Sequence, residues 1–379
     1  MTFRICHELE SIAAGEWNNL AGTDNPFLRH EFLAALERHG AVAPAKGWLP
    51  HHLLLYDAKG LAAAAPCYLK SHSWGEFVFD WSWAEAYERL GLAYYPKLIA
   101  AVPFSPVTGP RVLVRPDVDR THAITTLAEQ ARQLCDDAGY SSMHWLFPTH
   151  EQADILCARG YGIRLGCQYH WTDTGFGDMA GFLGSLSAKK RKNVRQERAA
   201  VATAGVGFRW IHGGDITASE WRTFVRFYSN TFREYGNIPP LSLALFEDLG
   251  RRLGDRVLLI LAERAGKPLA AALFLRSDDT LYGRYWGCAE TLPGLHFETC
   301  YYQGIEYCLR HGLKRFEPGA QGEHKIARGF LPTLTRSAHW ISQPRLRVAV
   351  NEFLRREAAA VHEHMQALAE RSPYRRQDG

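Results

Sequence analysis

The sequence predicts a mixed α/β protein made of two similar halves, each a largely antiparallel sheet flanked by helices. Three observations carry this. At 379 residues the chain exceeds what one core usually holds, so two domains are expected. Each half runs helices first, then hairpins of strands, then a helix, a strand and a closing strand, and hairpins that give way to a β-α-β unit make a mixed sheet. A glycine-rich stretch, Asp173–Gly184, lies between the two runs and sets the division at 1–177 and 178–379. No residue-level repeat accompanies this similarity of pattern.

In the first half, Asn25-Pro26-Phe27 is a turn before a helix over Leu28–Arg38, where Phe32, Leu33 and Leu36 share a face. His52–Tyr56 and Leu61–Leu69 read as paired strands around the turn Asp57–Gly60. Phe77–Trp83 is strongly aromatic, and Pro103, Pro106 and Pro110 break the chain repeatedly before a short strand, Val112–Val114. Thr121–Ala138 is an amphipathic helix ended by Gly139. Strand Ser142–Phe147, helix Glu151–Arg159 and strand Tyr161–Thr172 follow.

The second half opens on a basic helix from Ser187 to about Ala204, with Ser187 as N-cap. Strand Val206–Ile211 and helices Thr217–Tyr235 and Leu243–Leu253 come next, separated by Pro239-Pro240. Three strands in succession, Val257–Glu263, Leu269–Arg276 and Leu281–Trp286, form an antiparallel meander. Then come helix Phe297–Arg310, strand Lys314–Glu317, a polar glycine-containing loop, strand Thr333–Ile341 and helix Leu346–Leu368. The tail from Ser372 is expected to fray.

Composition is that of a globular protein, and a net charge of +4 does not announce a nucleic-acid binder. The eight cysteines are scattered without a CxxC pair and read as reduced thiols. The N-terminus lacks an apolar core, and no apolar run reaches membrane-spanning length, so a cytoplasmic protein without membrane insertion is expected. There is no GxSxG, Walker A or GxGxxG, and His362 and His364 lie on different faces of a helix, so no metal site is expected.

Several stretches together resemble a known family. They are the basic segment Leu186–Arg195, the strand run 257–286, PVTGPR (106–111), LYGRYWGC (281–288), LHFETCYYQGIE (295–306) and GAQGEHKIARGFLP (319–332). The second half resembles the GNAT superfamily of N-acetyltransferases, and nearly the whole chain is similar to the FemAB-like proteins, which are tandem GNAT-type domains. The resemblance implies two tandem GNAT-like domains and transfer of an activated acyl group to an amine. It implies acyl-CoA as co-substrate or, as an alternative, an aminoacyl-tRNA donor and a cell-wall precursor or peptide as acceptor. A third reading is a degenerate member that only binds a ligand. The chain departs from the peptidoglycan ligases in lacking heptads for a coiled-coil insertion.

Acyl transfer needs a polarised carbonyl and a proton acceptor for the amine. His296 and Glu298, at the start of the helix after the central strand, are candidate catalytic groups, although Glu298 there also simply suits the helix dipole. Glu323 and His324 are further candidates, with Lys325 as part of an acid/base cluster or phosphate clamp. Arg284-Tyr285-Trp286-Gly287-Cys288-Ala289 formally matches the GNAT pyrophosphate signature, so Arg284 and the Gly287 backbone are candidates for cofactor binding. Arg284 is expected to pair with Glu317 or Glu298 or to face a ligand. Tyr285, Trp286 and Glu317 are placed on the substrate side. On the basic helix, Arg191 and Arg195 contact a phosphate-rich ligand, unless the helix is merely solvated. In the first half, Lys97 and Arg111 line an acceptor groove or are ordinary loop residues. Tyr301 and Tyr302 suit a leaving-group acid or core packing.

Overall fold

A computed structural model describes residues 1–375. The strands in chain order are β1 (Thr2–Cys6), β2 (Trp48–Pro50), β3 (His52–Asp57), β4 (Gly60–Ala65), β5 (Cys67–Lys70), β6 (Lys97–Ala100), β7 (Leu113–Val114) and β8 (Ser142–Leu146). They continue as β9 (Gly162–Thr172), β10 (Val206–His212), β11 (Val257–Arg264), β12 (Lys267–Arg276), β13 (Thr280–Cys288), β14 (Arg315–Glu317) and β15 (Leu331–Ile341). Two compact units result. The first holds Met1–Cys167 and Leu334–His364, and the second holds Gln168–Thr333 and the chain from Met365 onward. This differs from the expected 1–177 and 178–379, because most of the last strand and helix returns to the first unit.

In the first unit, β1, β3, β4 and β7 form one sheet, all antiparallel. The end of β15, β8, β6, β5 and β2 form a second ladder, antiparallel except for β6 against β8. The expected strand Leu61–Leu69 is thus two strands in different sheets. Pro66 separates them: it has no N–H to donate, and its carbonyl accepts from Ala101 (3.2 Å). Helix Arg120–Ala138 is capped by the Asp119 carboxylate on the His122 amide and ends at Gly139 with φ of 70°. Its Ala123, Leu127 and Ala131 are buried in one cluster with Leu55, Ala63, Leu98 and Trp145. In this unit β1, β2, β6 and helix Ala14–Ala21 have no counterpart in the sequence reading. The aromatic run near residue 80 is partly helix, Trp81–Arg89.

In the second unit the order is β10-β11-β12-β13-β14-β9, antiparallel except for β13 against β14. Thr217 and Glu220 form a capping box that starts helix Ala218–Glu234, which packs on β12 and β13. The tail is tied down through Arg375 rather than frayed. The Ser187 amide donates to the Pro373 carbonyl (2.9 Å), and the Tyr374 hydroxyl donates to the Gly329 carbonyl (2.7 Å). The remainder of the expected frayed tail, 376–379, lies outside the described residues.

Candidate active site

The site begins with a fork in the second unit. β13 pairs with β12 from Leu281 to Cys288, but with β14 only over Thr280–Tyr282. β14 stops at Glu317, and Pro318 turns the chain away. Between the diverging strands lies a cavity of about 190 Å³. Its walls include Arg284, Tyr285 and Trp286 of β13, Phe274 of β12, and Pro318. Arg284 owes its position to a bulge. Leu273 faces Tyr285 and Phe274 faces Gly283, so Arg284 is the extra residue of its strand.

The other wall comes from the following helix. A single α turn, Leu295–Phe297, passes into a π turn, Glu298–Tyr302, before the helix continues as Gln303–His311. A π turn inserts one residue into the helical repeat and is frequent at functional sites. Here it places Cys300 and Tyr301, together with His296, on the cavity. The Tyr301 hydroxyl is hydrogen-bonded to His324 Nε2 (3.0 Å), and His324 is exposed.

The site is cationic. Lys325 is buried, and its ammonium donates to the Gly319 carbonyl (2.8 Å). Burial lowers its amine to about 8; Cys300 acts against the shift and the charge of Arg284 adds to it. Burial also lowers His296 to about 4, with help from His324, Lys325 and Arg328, and lowers His324 below its ordinary value. Both imidazoles are therefore neutral at pH 7. Burial raises the Cys300 thiol well above its ordinary value, which leaves it protonated and unsuited to attack.

This arrangement can be compared with known proteins. A FemAB-like family model, described as peptidoglycan biosynthesis/recognition, matches residues 8–376. The chain belongs to the FemAB-like family. It is similar in fold to FemX, at 12% identity and a TM-score of 0.55, over 92% of this chain and 99% of that one. It is also similar to the C-terminal domain of a protein assigned as lysylphosphatidylglycerol synthetase from Agrobacterium fabrum. That match has 12% identity and a TM-score of 0.51, over 89% of this chain and 95% of that one. No curated protein matches the chain. Among the described residues, no helix is long and apolar enough to cross a membrane.

Within this FemAB-like unit the expected site residues separate. Arg284, Tyr285, Trp286 and His296 line one cavity, with His324 bonded to its wall, while Lys325 is outside the lining but feels the charge of Arg284. Glu317 is buried at the end of β14, and its charge acts on Arg284. Tyr302 is buried and donates to Glu197.

Other expectations are corrected. Glu298 is buried and held by Arg198 (3.0 Å) and by the Gln303 amide (2.9 Å), so it anchors the π turn to the basic helix and does not face the cavity. Glu323 is exposed and paired with Arg371 (2.7 Å), away from the lining. In the first unit, Lys97 is fully buried against Glu76 (2.7 Å) and Asp80. Arg111 is fully buried, with its guanidinium on the carbonyls of Leu146 (2.6 Å), Gly109 (3.1 Å) and Val107 (2.5 Å). Neither lines a groove.

Gly287 is also corrected. The helix begins at Leu295, well past the formal signature, and the Ala289 amide is spent on the Leu269 carbonyl (2.7 Å). The glycine is there for packing. A Cβ at Gly287 would lie 2.0 Å from the Phe227 carbonyl oxygen on helix Ala218–Glu234. Gly287→Ala is expected to cost about 3 kcal/mol by overpacking backbone against backbone; urea denaturation measures it, and an unchanged midpoint would contradict this packing.

On the basic helix, Ala188–Thr203, Arg191 is half-buried and Arg195 exposed. Their side chains have no hydrogen-bond or ion-pair partner among the described residues. Arg198, by contrast, is committed to Glu298 and Glu306. Ser187 occupies the N-cap position without a side-chain cap bond.

Proposed function

We propose that this chain is an N-acyltransferase that seats an activated acyl group in the fork cavity and passes it to an amine of a peptidoglycan precursor. The observation that carries this is one cavity lined by Arg284 and by Tyr301, whose hydroxyl is bonded to His324, with the buried Lys325 close enough to feel the charge of Arg284. The positive charge of Arg284 and Lys325 stabilises the oxyanion that forms when the amine attacks the donor carbonyl. His324, neutral at pH 7, accepts the amine proton directly or through the Tyr301 hydroxyl and releases it to solvent. A C–N bond forms, the C–O or C–S bond to the carrier breaks, and the carrier oxygen or sulfur leaves with a proton. The family description supports the peptidoglycan acceptor.

The carrier is a CoA thioester or a tRNA ester. Two observations favour tRNA. The pyrophosphate signature does not form a cradle, and Lys189, Lys190, Arg191, Lys192 and Arg195 project from one helix without side-chain partners among the described residues. The deciding experiment incubates the protein with labelled acetyl-CoA and with a labelled aminoacyl-tRNA pool, each with a peptidoglycan precursor peptide. Label in the peptide from either donor supports transfer and names the carrier, and label from neither overturns the proposal. If tRNA is the carrier, Arg191→Ala with Arg195→Ala is expected to weaken binding and flatten the plot of log affinity against log salt by about 1–2. An unchanged slope would remove the helix from the interface.

A further inference from the structure

The π turn in the wall of the fork cavity is held by a side-chain contact that an α-helix does not permit. The Gln303 backbone amide donates to the Glu298 carbonyl, five residues back, which is the bond that defines a π turn. The same two residues bond a second time, because the Gln303 side-chain amide donates to the Glu298 carboxylate (2.9 Å). In an α-helix, residues five apart point about 140° from one another around the axis, so this side-chain bond does not form there. The π-helix is rare, and a contact that depends on its register identifies what holds it.

Both ends of the contact are fixed from outside the helix. Arg198 of the basic helix donates to Glu298 from Nε (3.1 Å) and from a terminal nitrogen (3.0 Å). The Trp210 indole N–H of β10 donates to the Gln303 side-chain oxygen (2.9 Å). The Trp210 ring also packs on Tyr307 (5.3 Å), further along the same helix. An indole only donates, and a carboxylate held by an arginine accepts, so residue 303 has to supply one donor and one acceptor. A primary amide does both, and a carboxylate or an apolar side chain does not. Glu298 and Gln303 are both buried, so the bonds are shielded from water.

We infer that Gln303 is a positioning residue that, with Glu298 and Trp210, locks the π register and so keeps Tyr301 on the cavity and against His324. Without the lock, the helix relaxes to the α register. The segment 295–301 then turns by about 100° relative to Gln303–His311, and the largely exposed loop ahead of it, 289–294, takes up the released residue. His296, Cys300 and Tyr301 leave the cavity wall, and the Tyr301 hydroxyl loses His324 Nε2. Gln303 itself lies outside the cavity lining, so its effect on the site runs through Tyr301. The catalytic consequence of the lock rests on the acyl-transfer reading, and the lock itself does not.

Gln303→Leu tests it, since leucine fills similar space and makes neither bond. Trp210→Phe keeps a ring and removes only the N–H donor, and serves should the first variant fail to fold. Crystal structures of the variants read the register directly, and the NMR shift of the His324 Nε2 nitrogen in the full chain reads its bond to Tyr301. The expected result is an α-helical 298–302, in which the amide of residue 303 donates to the Thr299 carbonyl, and a His324 shift matching that of Tyr301→Phe. With a donor that supports transfer, kcat is expected to fall about tenfold or more and KM for the donor to stay within about twofold. The split arises because Arg284 and the basic helix, which hold the donor in this reading, do not move. A π turn and a His324 shift unchanged in the variants would overturn the inference, and so would a relaxed helix with kcat unchanged. A relaxed helix in a protein that transfers from neither donor would retire the transferase reading and keep the lock. Transfer with an unmoved π turn would do the reverse.

Discussion

Lys325→Met is expected to lower kcat/KM by about 10²–10³ while making the protein more stable. The two effects share one cause. The ammonium is buried with one hydrogen-bond acceptor among the described residues, the Gly319 carbonyl, and it feels the charge of Arg284. Its amine lies at about 8 in the folded chain, against an ordinary value of 10.5. Between those values the unfolded chain binds more protons than the folded one, so stability rises with pH across about 8 to 10.5. Below 8 the folded state carries the full cost of the buried charge, roughly 3 kcal/mol. Methionine fills similar space without charge and is expected to return about 1–3 kcal/mol of this at pH 7. The catalytic loss follows because the oxyanion loses a neighbouring cation. In the unaltered enzyme the rate is expected to fall as pH rises through about 8, as Lys325 deprotonates, and this limb is expected to vanish in the variant. Urea unfolding and a pH–rate profile measure both. A variant that is less stable and fully active would show that Lys325 is structural.

The sequence and the structure agree most closely where the signal is local. The meander β11-β12-β13 was legible because its turns, Gly266-Lys267 and Asp278-Asp279, punctuate three strongly apolar runs. Arg284, Trp286, His296 and Lys325 could be singled out because polar groups stood at strand ends and beside glycines, and the first three line one cavity. The failures are long-range. Glu298 reads as a free carboxylate at a helix start, but its partner Arg198 lies a hundred residues earlier. Lys97 and Arg111 read as loop cations because nothing local shows that the folded chain surrounds them with acids or carbonyls. Gly287 was correctly singled out, but for the wrong reason: phosphate binding and helix packing both demand a residue without Cβ. The π turn that brings Cys300 and Tyr301 to the cavity has no signature in a run that reads as plain helix. The return of 334–364 to the first unit defeats any single cut, because division by composition assumes contiguous domains.

The largest expected loss of stability is in the first unit, at Lys97. Its ammonium, fully buried, donates to Ser73 (2.8 Å), Glu76 (2.7 Å) and Asp80. One cation cannot neutralise two carboxylates, and the pair divides accordingly. Burial acts to raise Asp80, but the charge of Lys97 holds it below its ordinary value. Glu76 is left as the surplus acid, and burial pushes it up to about 7. Between about 4.5 and 7 the folded chain therefore binds more protons at Glu76 than the unfolded one, and stability falls as pH rises through that window. Among the described residues, Lys97→Met removes the one ammonium bonded to either carboxylate, and Glu76 Oε1 and Asp80 Oδ1 already lack hydrogen-bond donors. The expected cost is about 3–5 kcal/mol at pH 7–8. It is expected to shrink toward pH 5.5, because both acids can then be buried neutral. Adding Glu76→Gln and Asp80→Asn to Lys97→Met is expected to recover most of the loss at the higher pH. Urea midpoints at pH 5.5 and 8 decide the matter. A loss of the same size at both, or no recovery in the triple variant, would mean that Lys97 stabilises the unit by packing rather than by its charge.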